Sequence, residues 1–168
     1  MVTMKNKKLK MMCMSGLWAA VVFVFTAYLH IPSHVGYTHV GDGFIYLAAC
    51  IMPLPYAVFI GACGGLLADV LSGFAVWAPA TVIIKAATVL FFSCKTRKIT
   101  GTRNLIALVP AALVCTGGYY LYDALIIGSF TSALAGIPGY VTQSVMSSVL
   151  FVLCGAMLDK TNIKNSLK

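Results

Sequence analysis

The chain has 168 residues, a mean hydropathy of +0.93, 60 % hydrophobic and only 10 % charged residues, and a net charge of +8. Soluble domains carry about 25 % charged residues, so this composition excludes a water-soluble globular protein. Eleven of the twelve Lys and Arg residues form three tight groups bordering apolar runs, and no basic face is interleaved with aromatics; this pattern excludes nucleic acid as a partner and points to membrane lipid headgroups.

Taken in chain order, Lys5, Lys7, Lys8 and Lys10 precede an apolar run over 11–31. It is too long for the core of a signal peptide, and no small-x-small cleavage site follows, so an uncleaved first span is expected. Gly16-x-x-x-Ala20 lies there, offset by one from Ser15-x-x-x-Ala19, and small residues four apart let another helix approach closely. His30, His34 and His39 come next. The segment holds Pro32 and Gly36 and no acid before Asp42, which predicts a solvated loop or pocket lid rather than a metal site.

The following apolar stretch, 37–71, is interrupted by Pro53-Leu54-Pro55. Each proline removes a helix donor and disfavours helix in the residue before it, so spans over 37–52 and 55–71 are predicted. The second contains Gly61-x-x-x-Gly65. Further spans are predicted over 77–94, 105–127 and 134–158. Basic residues decide the count. With six spans, the N-terminal lysines, the Lys95, Arg97, Lys98 and Arg103 loop, and Lys160, Lys164 and Lys168 all fall on one side, as the positive-inside rule requires. The expected fold class is therefore an all-α membrane protein, one domain over 1–168, built as a bundle of six transmembrane helices with both termini cytoplasmic. The cysteines (Cys13, Cys50, Cys63, Cys94, Cys115 and Cys154) are scattered singly and read as small buried hydrophobes.

A depth pattern singles out functional candidates. Asp42, Asp69, Lys85, Asp123 and Gln143, from five different spans, share the outer part of the bundle. Charges in hydrocarbon need partners or water, so these side chains should face the bundle interior or a cavity open to the outside. Helical spacing adds Trp77 and Thr81 on the face of Lys85, Tyr119 and Tyr122 beside Asp123, and Tyr140, Ser144 and Ser147 beside Gln143. Aromatic walls with a few hydrogen-bonding groups suit a planar heterocycle better than an inorganic ion. The expected substrate-binding set is Asp42, Trp77, Thr81, Lys85, Tyr119, Tyr122, Asp123 and Gln143; a pairing of Lys85 with Asp42 or Asp69 that only locks the bundle is the competing reading. No P-loop, HExxH or GxSxG motif occurs, so neither an enzyme nor a cofactor is expected.

Four stretches carry a family resemblance: Gly41-Asp42-Gly43-Phe44-Ile45-Tyr46-Leu47-Ala48-Ala49, Gly61–Asp69, Ala78-Pro79-Ala80-Thr81-Val82-Ile83-Ile84-Lys85, and Gly136-Ile137-Pro138-Gly139-Tyr140-Val141-Thr142-Gln143. With them, the chain resembles the substrate-binding S component of energy-coupling factor (ECF) vitamin transporters, and within that family the riboflavin-type branch. The resemblance implies a plasma-membrane protein of bacterial type that captures a vitamin or heterocyclic vitamin precursor from outside. It implies docking to an ECF transmembrane coupling protein and two ATPase subunits, and toppling in the membrane to release the load. It also implies that Gly16 and Ala20 match the helix-one Ala-x-x-x-Ala that faces the coupling protein, and that the pocket lies in the outer half under the first loop. A smaller heterocycle such as a pyrimidine or pyridine precursor fits at least as well as riboflavin. The alternative is a stand-alone secondary transporter or channel using the intramembrane Asp and Lys residues, and a membrane enzyme or assembly factor is a third reading.

Overall fold

A computed structural model of the chain describes residues 2–32, 37–161 and 164. His34, Gly36 and Lys168 lie outside the described residues. Helix α1 (Val2–Ala27) leads into a short antiparallel hairpin, β1 (His30–Pro32) and β2 (Tyr37–His39), which pairs Ile31 with Thr38. Then come α2 (Gly41–Ile51), α3 (Leu54–Leu71), α4 (Ala78–Val89), α5 (Thr102–Ile106), α6 (Leu108–Ile127), α7 (Phe130–Ala133), a 3-10 turn (Leu134–Gly136) and α8 (Ile137–Lys160).

Prolines and glycines set these boundaries. Met52 is extended (φ −95°, ψ 149°), as the residue before a proline prefers, while Pro53 caps α3 and Pro55 sits in its first turn. Pro79 and Pro138 likewise occupy the first turns of α4 and α8. Pro110 cannot donate to the carbonyl of Ile106, and the chain breaks from α5 to α6 at Ala107. Gly128 ends α6 in the left-handed region (φ 71°), which a side chain would resist.

Among the described residues, four helical stretches are long and apolar enough to cross a membrane: Asn6–Ala27, Leu54–Leu71, Thr102–Ile127 and Phe130–Lys160. Two of the expected spans are shorter as helices. The segment expected as a span over 37–52 begins as the strand β2, because Tyr37–His39 pair back with β1, and its helix covers 11 residues, roughly 16 Å. The expected span over 77–94 is helical for 12 residues, roughly 18 Å. Both are largely buried against longer neighbours, α2 between α1 and α8 and α4 between α3 and α6.

Two cores hold the bundle. Toward the basic end, Tyr46 stacks on Phe92 (centroids 4.6 Å apart), which meets the edge of Phe151, with Val22, Ile45, Leu47 and Ile60 packed around them. A smaller cluster of Ala80, Ile84, Cys115, Tyr119 and Tyr140 lies nearer the hairpin. The Gly61/Gly65 pair serves packing within the chain: a Cβ on Gly65 would sit 2.7 Å from Thr81 Cγ2, so the pair lets α3 lie close on α4. On α1 the offset small pairs separate by face. Ser15 and Ala19 are buried, whereas Gly16 and Ala20 are exposed.

The basic end is closed by polar locks. Asn104 is fully buried; its Oδ1 accepts the Ser93 N–H, and its amide nitrogen donates to Ser93 O, Thr96 Oγ1 and Ile99 O. Asp159 accepts from the N–H groups of Ile99 and Thr100 at 2.7 and 2.9 Å and from the Thr100 hydroxyl at 2.7 Å. Lys95, Arg97, Lys98 and Arg103 project from this end, all four exposed.

Candidate functional site

The five polar residues of the depth pattern do converge near the hairpin, and they divide into three assemblies. In the first, Lys85 on α4 places Nζ 2.7 Å from Asp42 Oδ1 and 2.9 Å from Oδ2, both residues being 1 % exposed. Gln143 on α8 donates from Nε2 to Asp42 Oδ2 at 2.9 Å, and Cys115 Sγ lies 3.7 Å from the same oxygen. The Lys85 ammonium also lies 5.0 Å from the ring centre of Tyr119, within cation–π range. The buried lysine thus pairs with Asp42.

The second assembly centres on Asp123. Its Oδ1 accepts from Trp77 Nε1 at 2.9 Å, and its Oδ2 accepts from the Tyr140 hydroxyl, so α4 and α8 are both tied to α6. Tyr140 stacks on Tyr119 with centroids 5.2 Å apart, and the Tyr119 hydroxyl shares a 2.9 Å hydrogen bond with Thr81. In the third assembly Tyr37, on β2, donates to Asp69 Oδ1 at 2.5 Å. The hairpin is held further by Thr38 donating to Gly139 O and by the Tyr37 ring packed on Phe74 at 4.5 Å. Burial beside the Asp69 carboxylate raises the Tyr37 hydroxyl well above its ordinary pKa, so it stays a donor. Burial pushes His39 down to about 3, and its Nδ1 accepts the Gly41 N–H at 3.1 Å, as a neutral ring can.

Between the assemblies lies a narrow cavity, with about 20 Å³ of room for a water-sized molecule, lined by Tyr37, His39, Asp69, Trp77, Thr81, Tyr119, Tyr140 and Gln143. Four of the eight expected binding residues line it: Trp77, Thr81, Tyr119 and Gln143. Asp42 and Lys85 lie beyond Gln143 and orient it. Asp123 lies behind Trp77 and Tyr140. Tyr122 stands apart, donating its hydroxyl to Val76 O at 2.7 Å. The remaining walls are Tyr37, His39, Asp69 and Tyr140. Tyr140 and Asp69 carried a signal, a shared helical face with Gln143 and membership of the polar layer. Tyr37 carried none, because only the hairpin brings it over the cavity. Among the described residues no group of three or more His, Cys, Asp or Glu side chains is placed to hold a metal ion.

Apolar helices around one cavity with aromatic walls and a few convergent polar groups define a membrane-embedded small-molecule-binding protein. Residues 6–160 match the family described as ECF-type riboflavin transporter, S component, and the chain belongs to that family. It is 26 % identical, over 98 % of its own length and 97 % of the relative's, to the thiamine precursor transporter HmpT of Lactococcus lactis subsp. cremoris (strain MG1363). The protein is a multi-pass membrane protein and a vitamin-binding transporter subunit, not an enzyme.

Proposed function

We propose that this chain is the capture subunit of an ATP-driven importer of the bacterial plasma membrane, binding a small planar heterocyclic vitamin precursor on the outer side. The observation that carries the reading is the aromatic and polar cavity under the β1–β2 hairpin. The room open to a water-sized molecule is only about 20 Å³, so a ligand enters by moving the walls, and a single small ring system asks for less of that movement than a flavin. The resemblance to a thiamine precursor transporter supports the same choice.

In this reading the whole chain is one six-span domain. The four long helices cross alone; α2 and α4 are covered by them, and local thinning accommodates their length. Both termini and the basic loop face the cytoplasm, because Lys95, Arg97, Lys98 and Arg103 share one end with α8's Lys160. Trp77, Thr81, Tyr119 and Gln143 contact the ligand, joined by Tyr37, His39 and Tyr140. Asp42, Lys85 and Asp123 hold those side chains in place, and Tyr122 supports the rim through Val76. Gly16 and Ala20 form the docking face for the coupling protein, which in turn carries the two ATPase subunits. Both residues are exposed on α1, and a Cβ on Gly16 would meet nothing within 4 Å, so the face is open to another helix.

The test is mass spectrometry of small molecules released from detergent-purified protein expressed in rich medium. A single stoichiometric heterocycle of one small ring is the expected result. A yellow, flavin-loaded protein would replace the precursor reading with riboflavin. Uptake that persists in cells lacking any ECF ATPase would point instead to a stand-alone carrier.

A further inference from the structure

We infer that Asp69 is the specificity-determining residue of this cavity, selecting an aromatic nitrogen heterocycle that carries an exocyclic amine. The inference rests on the binding reading above and adds the ligand's hydrogen-bonding character. Asp69 is 4 % exposed at the end of α3, and its two oxygens differ. Oδ1 accepts the Tyr37 hydroxyl, while Oδ2 is buried with no hydrogen-bond partner among the described residues. A buried carboxylate oxygen without a donor is costly, and the side chain lines the cavity. A ligand N–H removes that cost.

The other polar walls add a second acceptor and a donor. A carboxylate only accepts, so the bond from Gln143 to Asp42 commits the amide nitrogen of Gln143 and leaves its carbonyl oxygen to the cavity. His39 accepts from Gly41 through Nδ1, which puts its proton on Nε2. The hydroxyls of Thr81 and Tyr119 share one hydrogen bond, which leaves one proton between them, and Thr81 stands beside Asp69. The cavity therefore presents two acceptors, Asp69 Oδ2 and Gln143 Oε1, and one donor, the His39 Nε2–H that a ring nitrogen can accept from, between the rings of Trp77, Tyr119 and Tyr140. A flat ring edged with N–H donors satisfies both acceptors. A ring edged with carbonyl oxygens sets lone pairs against the carboxylate. Tyr37 adds a consequence: the carboxylate that reads the amine also holds the hairpin closed, so occupancy and closure share one residue.

The experiment is isothermal titration of the full chain in detergent with two ring-matched probes, 4-aminopyrimidine and 3-methylpyrimidin-4-one, the second having an oxo group and no N–H. The wild type should prefer the amine by about 10- to 100-fold, the discrimination expected when a charged acceptor loses its donor. In Asp69→Asn, whose amide can donate to the oxo group, the preference should vanish or invert, with thermal unfolding checked to confirm the fold. Equal affinities, or an oxo preference, in the wild type overturn the inference even if the variant fails to fold. An unchanged ratio in a folded Asp69→Asn also overturns it. If neither probe binds while the purified protein releases another heterocycle, the donor-edge inference fails and the binding reading stands. If neither probe binds and nothing is released from wild-type protein, both fail.

Discussion

Lys85→Met keeps most of the lysine's stem and removes its charge, which makes it the most informative single change in the bundle. Asp42 would lose Nζ contacts at 2.7 and 2.9 Å and keep only Gln143 and the weak Cys115 thiol, while remaining 1 % exposed. Removing one partner of a buried ion pair costs about 3–5 kcal/mol, because the other charge stays buried. At about 2–4 °C per kcal/mol for a chain of this size, unfolding in detergent should fall by about 6–20 °C. The double variant Asp42→Asn/Lys85→Met has no charge left in the pair, and the amide oxygen introduced at position 42 can still accept from Gln143. It should recover most of the loss, with a coupling energy of about 2–4 kcal/mol in the cycle. Ligand affinity should weaken in the single variant and return to within about tenfold in the double, since the pair orients Gln143 rather than touching the ligand. A single variant within about 1 kcal/mol of wild type, or additive effects in the double, would refute this account of the pair.

Below about pH 6.5 the unfolded chain protonates His39 while the folded one, held near 3, does not; stability should therefore fall as pH drops from about 6.5 to 3 and stay flat above it. Asp42, Lys85 and His30 are the charged or titratable neighbours acting on that ring, and thermal unfolding of wild type against His39→Asn would show the slope and its loss. Gly43→Ala would bring a Cβ within 2.7 Å of Ser147 O and Leu150 Cδ2, forcing α2 off α8; a loss of about 1–3 kcal/mol is expected in the same assay. Asp159→Asn removes the charge that three donors of Ile99 and Thr100 converge on; it should speed hydrogen exchange at those two residues with little change at the cavity, and equal rates would refute the lock. Gly16→Leu should leave ligand binding intact and abolish co-purification with the ECF module; retained co-purification would move the docking face off α1.

Much of this fold was legible because its signals are local. The Pro53-Leu54-Pro55 triplet acts on its own backbone and the residue before it, so the break between α2 and α3 could be placed to within a residue or two. The polar layer was legible because an ionisable group in an apolar span needs a partner, whatever the bundle's details. The start of α2 was not, since Tyr37–His39 is as apolar as a helix end and only pairing with β1 decides its state. Nor could helical spacing separate Gly16/Ala20 from Ser15/Ala19: the two pairs are about 100° apart, and only packing against α3 turns one inward. Tyr37 illustrates the general limit. Its role depends on a contact 32 residues away, and no periodicity reports that.

Three acids and one lysine in this layer leave two negative groups without an opposite charge, and the protein treats the two differently. Asp123 is satisfied on both oxygens by neutral donors, Trp77 and Tyr140, so it costs little and offers nothing to a ligand. Asp69 is satisfied on one oxygen only. Among the described residues no side chain closes a well-formed hydrogen bond on its second oxygen, although the Thr81 hydroxyl, shared with Tyr119, lies close enough to offset part of the cost. A half-satisfied buried carboxylate weakens the empty protein, and every donor that reaches it recovers that deficit as binding free energy. Tight capture from dilute solution and a modestly stable empty state then have one physical origin, and Asp69→Asn, which loses the charge and keeps the shape, should raise the stability of the empty protein while lowering its affinity for the amine.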